Sequence, residues 1–286
     1  MERTTSHDAP ASHAKKLCVV MGPLSDRATA IEMHAVANKL TNEQHCDYVG
    51  HWLQYPSIAE RQRHAEPESA KLSYFRPELE RYHGRSTPVL IGVENDIPDM
   101  FPDFLTPDPD ESPLLFFLRV IGEEPAPFHL AIAQNVHGVP AMLAITRNPG
   151  MVAKIREMFR EIIGVGPICE SNARATVNFL SDQMSDHGCL PIAYAGDRWE
   201  PVIDLLQLRG IDESANVVID ATQHHRVWVF AHRVTLEMLR NKIGGTIQDM
   251  GPGYPAGSSY LELGSHDEAR RVTDLLHTAD HVRRTQ

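Results

Sequence analysis

Residue types that together can transfer an acyl group lie in order along this chain: His129, Asn148, Gln183 and Cys189. Cysteine acyl transfer needs a thiolate, an imidazole to take its proton, a group that fixes the imidazole tautomer, and a donor for the oxyanion. Cys189 opens the apolar run Cys189-Leu190-Pro191-Ile192-Ala193-Tyr194-Ala195. Read as a helix, that run places the thiol at the positive end of the helix dipole, which favours thiolate, and Pro191 suits a first turn. Cys169, ahead of Glu170-Ser171-Asn172, is the rival nucleophile, but no Gln stands six residues before it as Gln183 does before Cys189. A second reading stays open beside this one: a histidine next to Phe128 can be a hydrogen-bonded core residue, and a lone buried Cys a small hydrophobe.

The surrounding elements must bring these groups together. Residues 128–134 alternate in strand fashion, Val136-His137-Gly138 makes a hairpin turn, and residues 140–146 return. This predicts an antiparallel pair with His129 at its start and Thr146 to Asn148 at its end. Residues 114–121 read as a central strand, 151–163 as an amphipathic helix, and 171–180 as a helix or strand. Upstream, Leu17–Met21 and residues 28–40 suit strand-turn-helix or two helices, 88–93 a strand or a helix start, and the proline-rich, acidic 98–113 an irregular loop. Residues 43–70 read as loop plus short helix. Their histidines and Cys46 match no zinc-ligand spacing, so no metal site is assigned. Downstream, 217–242 reads as one long helix and 258–263 then 265–277 as strand then helix.

At 286 residues with 42% hydrophobic content the chain can bury a substantial core, as one large domain or two modest ones. Lys plus Arg number 27 against 38 Asp plus Glu, and a net charge of −11 argues against a surface that tracks nucleic acid or an anionic membrane. The four cysteines form no CxxC pair, which favours reduced thiols and synthesis in a cytosol. No run approaches the roughly 18 apolar residues of a spanning helix. Residues 1–16 are polar and read as a disordered leader.

His, an acid position, Gln and Cys in this order resemble the ubiquitin-like-protease clan of cysteine enzymes. Within that clan, residues 85–275 are similar to the YopJ family of bacterial effector acetyltransferases. Pro88-Val89-Leu90-Ile91 with Glu94-Asn95 and Pro98 looks like the stretch before the family's core, and His129, Gly138 and Thr146 like its histidine strand, turn and acid-bearing strand. Gln183-Met184-Ser185 followed by Gly188-Cys189-Leu190-Pro191 resembles its Gln-to-Cys segment, and Thr222-Gln223 with residues 259–271 its regulatory region. Thr146 departs from the pattern, because the family carries Glu or Asp there; Asn148 can orient the imidazole instead, or Asp186 can supply the acid.

The resemblance implies an α/β fold with a mixed sheet flanked by helices, a cysteine-protease-like core and a regulatory lobe. The layout is leader 1–16, N-terminal flank 17–84, catalytic core 85–210 and C-terminal lobe 211–286. It further implies ping-pong chemistry, in which Cys189 accepts acetyl from acetyl-CoA with His129 as base and Gln183 on the oxyanion, then passes it to Ser, Thr or Lys of a host protein. The family's activator is inositol hexakisphosphate. Here Arg226, Arg233 and Arg240 recur every seven residues, on one face of the predicted helix, with His225, Lys242, Arg270 and Arg271 as neighbours; the plain alternative is a solvated face paired with nearby acids. Delivery from a bacterium into a host cell by type III secretion belongs to the same resemblance. A protease or deubiquitinase-like hydrolase of the clan shares the residues, and a catalytically impaired relative that binds a host protein is the reading Thr146 favours.

Overall fold

The structure, a computed structural model, describes residues 17–21, 27–43, 49–52, 87–91, 105–108, 111–180, 189–211, 215–251 and 253–284. Gln183 and Asp186, the leader 1–16 and most of 43–70 lie outside the described residues. The chain divides into two compact units, one of residues 1–25 and 33–117, the other of 26–32 and 118–286.

The first unit holds a parallel three-stranded sheet in the order β2-β1-β3, from β1 (Leu17–Met21), β2 (Val49–Trp52) and β3 (Thr87–Ile91). Val19 faces Gly50 on one side and Val89 on the other, so β1 is the central strand. α1 (Arg27–Glu43) follows β1, which selects strand-turn-helix from the two readings of that segment.

At the boundary between the units in sequence, α2 (Pro113–Ile121) replaces the expected central strand at 114–121. The reason is local: Ser112 Oγ accepts from the Leu115 N–H at 3.4 Å and Pro113 takes the first helical position, a Ser-Pro helix start. The expected hairpin is also helical, as α3 (Pro127–Ala133) and α4 (Gly138–Thr146) joined by a 3-10 turn. Burial explains the outcome, since Ile132, Asn135, Val139 and Met142 are buried at spacings of three and four, the helical period. A seven-residue apolar stretch fits both periods, and packing chose the longer one. α5 (Pro149–Ile162) and α6 (Pro167–Leu180) follow as helices.

The C-terminal half is built on a five-stranded mixed sheet in the order β4-β5-β6-β8-β7. Its strands are β4 (Cys189–Ala193), β5 (Asn216–Ala221), β6 (Arg226–Phe230), β7 (Thr246–Asp249) and β8 (Ser259–Leu263). β4 runs parallel to β5 and the other pairs are antiparallel. β4 is an edge strand, which is why it tolerates Pro191. The expected long helix at 217–242 is instead β5, a tight turn, β6 and α8 (Arg233–Ile243); the β-branched run at 217–219 and His225 at φ +53° make the hairpin. β4 pairs with β5 across residue 210, where the sequence places the start of the C-terminal lobe. The strand at 258–263 and the helix after it are found as β8 and α9 (His266–Arg284).

Helices cover both faces of this sheet. On one, Val217, Ile219, Trp228, Phe230 and Tyr260 pack with α6 and with α7 (Glu200–Leu208). On the other, Cys189, Val218, Val227, Val229, Leu261 and Leu263 pack with Leu236 and Leu239 of α8 and Val272 and Leu276 of α9. Among the described residues no helix is long and apolar enough to cross a membrane.

Candidate functional site

The residues expected to do cysteine chemistry have structural employment. Cys189 heads a strand, not a helix, so no helix dipole acts on its thiol. It is 1% exposed in an aliphatic layer, and burial alone pushes its thiol up to about 12, away from thiolate at neutral pH. His129 sits in the first turn of α3, where its Nδ1 accepts the Ala126 N–H at 3.1 Å, in the manner of the reaching side chain of a capping box. Thr146 closes α4, its hydroxyl donating to the Met142 carbonyl at 2.9 Å. Asn148 caps α5, its Oδ1 accepting the Met151 N–H at 3.1 Å. The rival thiol Cys169 is buried against the Tyr194 hydroxyl at 2.9 Å, and burial raises it too.

The three arginines expected on one helix face are separated. Arg226 begins β6 and pairs loosely with Glu262 at 3.8 Å, whereas Arg233 and Arg240 lie on α8. Glu237 stands between those two on the same face and pairs with Arg233 at 3.2 Å, so the face alternates in charge. Arg240 and Lys242 end α8, where they complement the negative end of its dipole. His225 holds the left-handed position of the β5–β6 turn. Arg270 and Arg271 are exposed on α9.

A different site emerges on the α6/α7 face. α7, β5, β6 and the loop between β7 and β8 line a half-open cavity of about 350 Å³. Ile203, Leu206 and Phe230 form an apolar floor, Met250 and residues 255–259 one wall, and His232 and Arg233 another edge. The loop's shape is set by Gly251 at φ +80°, Gly253 at +87° and Gly257 at +84°, conformations that favour glycine. At Gly253 a Cβ would stand 2.8 Å from the Phe159 ring, so only glycine fits that approach.

Behind the loop lies a buried network of charges. Arg156 donates from Nη1 to the Gly253 carbonyl and to Asn135 Oδ1, both at 2.8 Å, and grips both oxygens of Asp204 at 3.0 and 2.8 Å. Its guanidinium also lies 4.7 Å from the ring centroids of Phe159 and Tyr254. Arg160 shares Asp204 and adds Glu170. Burial opposes the charge on both arginines, but Asp204 at Arg156, and Asp204 with Glu170 at Arg160, outweigh it and leave their affinity for the proton raised. Two cations thus meet two anions in a neutral network that fixes the loop from beneath. Trp199 completes the support, with Phe230, Tyr254 and Tyr260 each 5.1 to 5.2 Å from its ring centroid.

One wall residue is unsatisfied. Gln207 of α7 is 8% exposed and lines the cavity, and its buried Oε1 has no hydrogen-bond partner among the described residues. A second cavity, beyond Trp199 and Trp228, is rimmed by charged groups that already pair with each other, among them Arg198 with Glu200 and Arg226 with Glu262. Among the described residues no group of three or more His, Cys, Asp or Glu is placed to hold a metal ion. Of the cavity's polar groups only Arg233 was a candidate from the sequence, for another ligand. The run Gly251-Pro252-Gly253-Tyr254-Pro255-Ala256-Gly257 was the available signal, since so dense a turn composition between two strands marks an elaborate loop.

No protein-family model matches the chain, and no curated protein is similar to it. Among solved structures it is similar to an exonuclease RecJ bound to manganese, at 9% identity and a TM-score of 0.37, over 93% of this chain and 90% of that one.

Proposed function

We propose that this chain works by non-covalent binding of a small molecule in the cleft of its five-stranded unit. The observation that carries this reading is the cavity itself: about 350 Å³, half open, with an apolar floor and a few polar groups on its walls. Its wall loop is held from behind by Arg156, so the cavity is formed before any ligand arrives. In contrast, a thiol that is 1% exposed and raised by burial cannot meet an acyl donor without the sheet opening.

The rival proposal is the YopJ-like one, a cysteine-protease-like core that moves acetyl from acetyl-CoA to a host protein under inositol hexakisphosphate. It is supported by the chain order of His129, Gln183 and Cys189. Its variants, a hydrolase of the same clan and an impaired relative that binds a host protein, share that support.

One pair of measurements separates the two. A thermal-shift screen of small organic acids, bases and neutral compounds should find ligands that raise Tm in the wild type and fail to do so in Ala256→Trp, which fills the exposed cavity mouth. Incubation with labelled acetyl-CoA, with and without inositol hexakisphosphate, should leave the protein unlabelled. Label that disappears in Cys189→Ala would overturn the binding reading in favour of acetyl transfer.

A further inference from the structure

The charge at the cleft's rim is already committed within the protein, and that narrows what the cleft can take. Arg233 donates from Nε to Glu237 at 3.2 Å and from Nη1 to Ser259 Oγ at 3.0 Å, and Asp249 lies 3.8 Å from the same Nη1. Ser259 Oγ in turn donates to Asp249 Oδ1 at 3.1 Å. The rim thus sets one guanidinium between two carboxylates. An entering anion meets Glu237 and Asp249 around the only cation that could hold it, and an entering cation must compete with Arg233 for them. Deeper in, Gln207 Oε1 is buried from the cavity, so a ligand does not reach it.

What remains for a ligand is apolar surface, from Ile203, Leu206, Val217, Phe230, Met250 and Pro255. Protein interiors close-pack, and a hollow of about 350 Å³ beside apolar groups forfeits their dispersion contacts until something fills it. Here the hollow is built in. Ala215, Ala231, Ala256 and Gly257 are the small members of its lining, and Arg156 holds the loop from behind through the Gly253 carbonyl. A dry apolar cavity of roughly 150 Å³ takes benzene. By that measure about 350 Å³ has room for two fused rings with a short substituent.

Resting on the cleft reading above, we propose that the cavity selects an uncharged, largely apolar molecule of two-ring size, and that the rim of Arg233, Glu237 and Asp249 rejects charged analogues, carboxylates most strongly. Affinity comes from the apolar lining, and selectivity from a rim whose charges are already paired.

Three probes of nearly equal shape test this by titration calorimetry on the full chain. At neutral pH 1-naphthalenemethanol is uncharged, 1-naphthalenemethylamine is a cation and 1-naphthoate an anion. The alcohol should bind tightest, the amine more weakly, and the acid weakest, about tenfold or more below the alcohol. The double variant Glu237→Gln, Asp249→Asn removes both rim carboxylates and frees Arg233 for an anion. The ratio of alcohol to acid affinity should then fall to about one or below, a change that general loosening of the fold would not produce. Ala256→Trp, which fills the mouth, should abolish binding of all three.

Binding of the acid or the amine as tight as that of the alcohol in the wild type would overturn the uncharged class. A ratio of alcohol to acid that is unchanged in the double variant would overturn the rim as its cause. In both cases loss of all binding in Ala256→Trp keeps the cleft reading standing. Binding that survives Ala256→Trp, or no binding of any probe, removes the cleft reading and the ligand class together.

Discussion

The two faces of the five-stranded sheet bury very different chemistry. Beneath α8 and α9 the layer is aliphatic and dry, and its one chemically capable group, Cys189, is a packing atom among Val218, Leu236 and Leu261. Beneath α6 and α7 the layer carries four close aromatic rings, and behind it lie two buried arginines with their acids. The buried side-chain atoms without a partner among the described residues, Asn135 Nδ2, Gln207 Oε1 and Tyr254 Oη, all belong to this second assembly. A reactive residue type therefore says little by itself. A buried polar group that the fold fails to satisfy says more, because selection for stability alone would replace it.

The largest test of this contrast is Asp204→Asn. It leaves Arg156 buried with no anion, at a cost of roughly 3–5 kcal/mol in urea unfolding, and it releases the Gly253 loop. A loss of under about 1 kcal/mol would mean that the network is not what holds the polar face together.

On the dry face Cys189→Ser should cost about 1–3 kcal/mol, because it puts an unpartnered hydroxyl into an aliphatic layer. The same residue gives a pH signature. Its folded thiol keeps the proton up to about 12, whereas an unfolded cysteine releases it near ~8.5. The stabilisation is therefore intact below the unfolded value and drains as pH rises toward 12. Tyr194, Tyr254 and Cys169 are also raised by burial, so the informative quantity is the difference between wild type and Cys189→Ala, whose stability should fall less steeply in alkali. Rapid native-state alkylation of Cys189 at pH 8, followed by peptide mapping, would sink the packing role.

How much of this was legible beforehand follows from which interactions are local. The mixed sheet with flanking helices came with the resemblance, and of its five strands only the one read at 258–263 was legible as a strand; that strand, the helix at 265–277 and the helix at 151–163 follow from periods longer than one turn or one pleat. The error at 114–146 came from short apolar runs that fit both periods, where the deciding information was punctuation: Ser112-Pro113, Pro127 with His129, and Asn148-Pro149. Of these, His129 and Asn148 were read as chemistry, and in the structure each bonds a backbone N–H at a helix start. Gln207 was invisible for the opposite reason, since nothing in Asp204-Leu205-Leu206-Gln207-Leu208 tells which polar residue turns inward until Phe230 and Met250, brought in from distant strands, form the cavity around it.

Gln207→Leu sharpens the contrast at smaller scale. Without ligand it should stabilise the protein by up to about 1 kcal/mol, since an unpaired buried oxygen is exchanged for an apolar side chain of similar size. If Gln207→Leu is instead destabilising by more than about 1 kcal/mol, the amide makes contacts that hold the fold.

The smallest effect is expected at Arg226, and it closes the question of the arginine triplet. Arg226 is 53% exposed and its distance to Glu262 is 3.8 Å, a pair of the kind that contributes roughly 0–1 kcal/mol. It lies on β6 while Arg233 and Arg240 lie on α8, so the seven-residue spacing does not translate into one surface. Arg226→Ala should shift stability in urea unfolding by less than about 0.5 kcal/mol. A loss above about 1 kcal/mol would mean that Arg226 and Glu262 hold the sheet edge more firmly than their 3.8 Å separation implies.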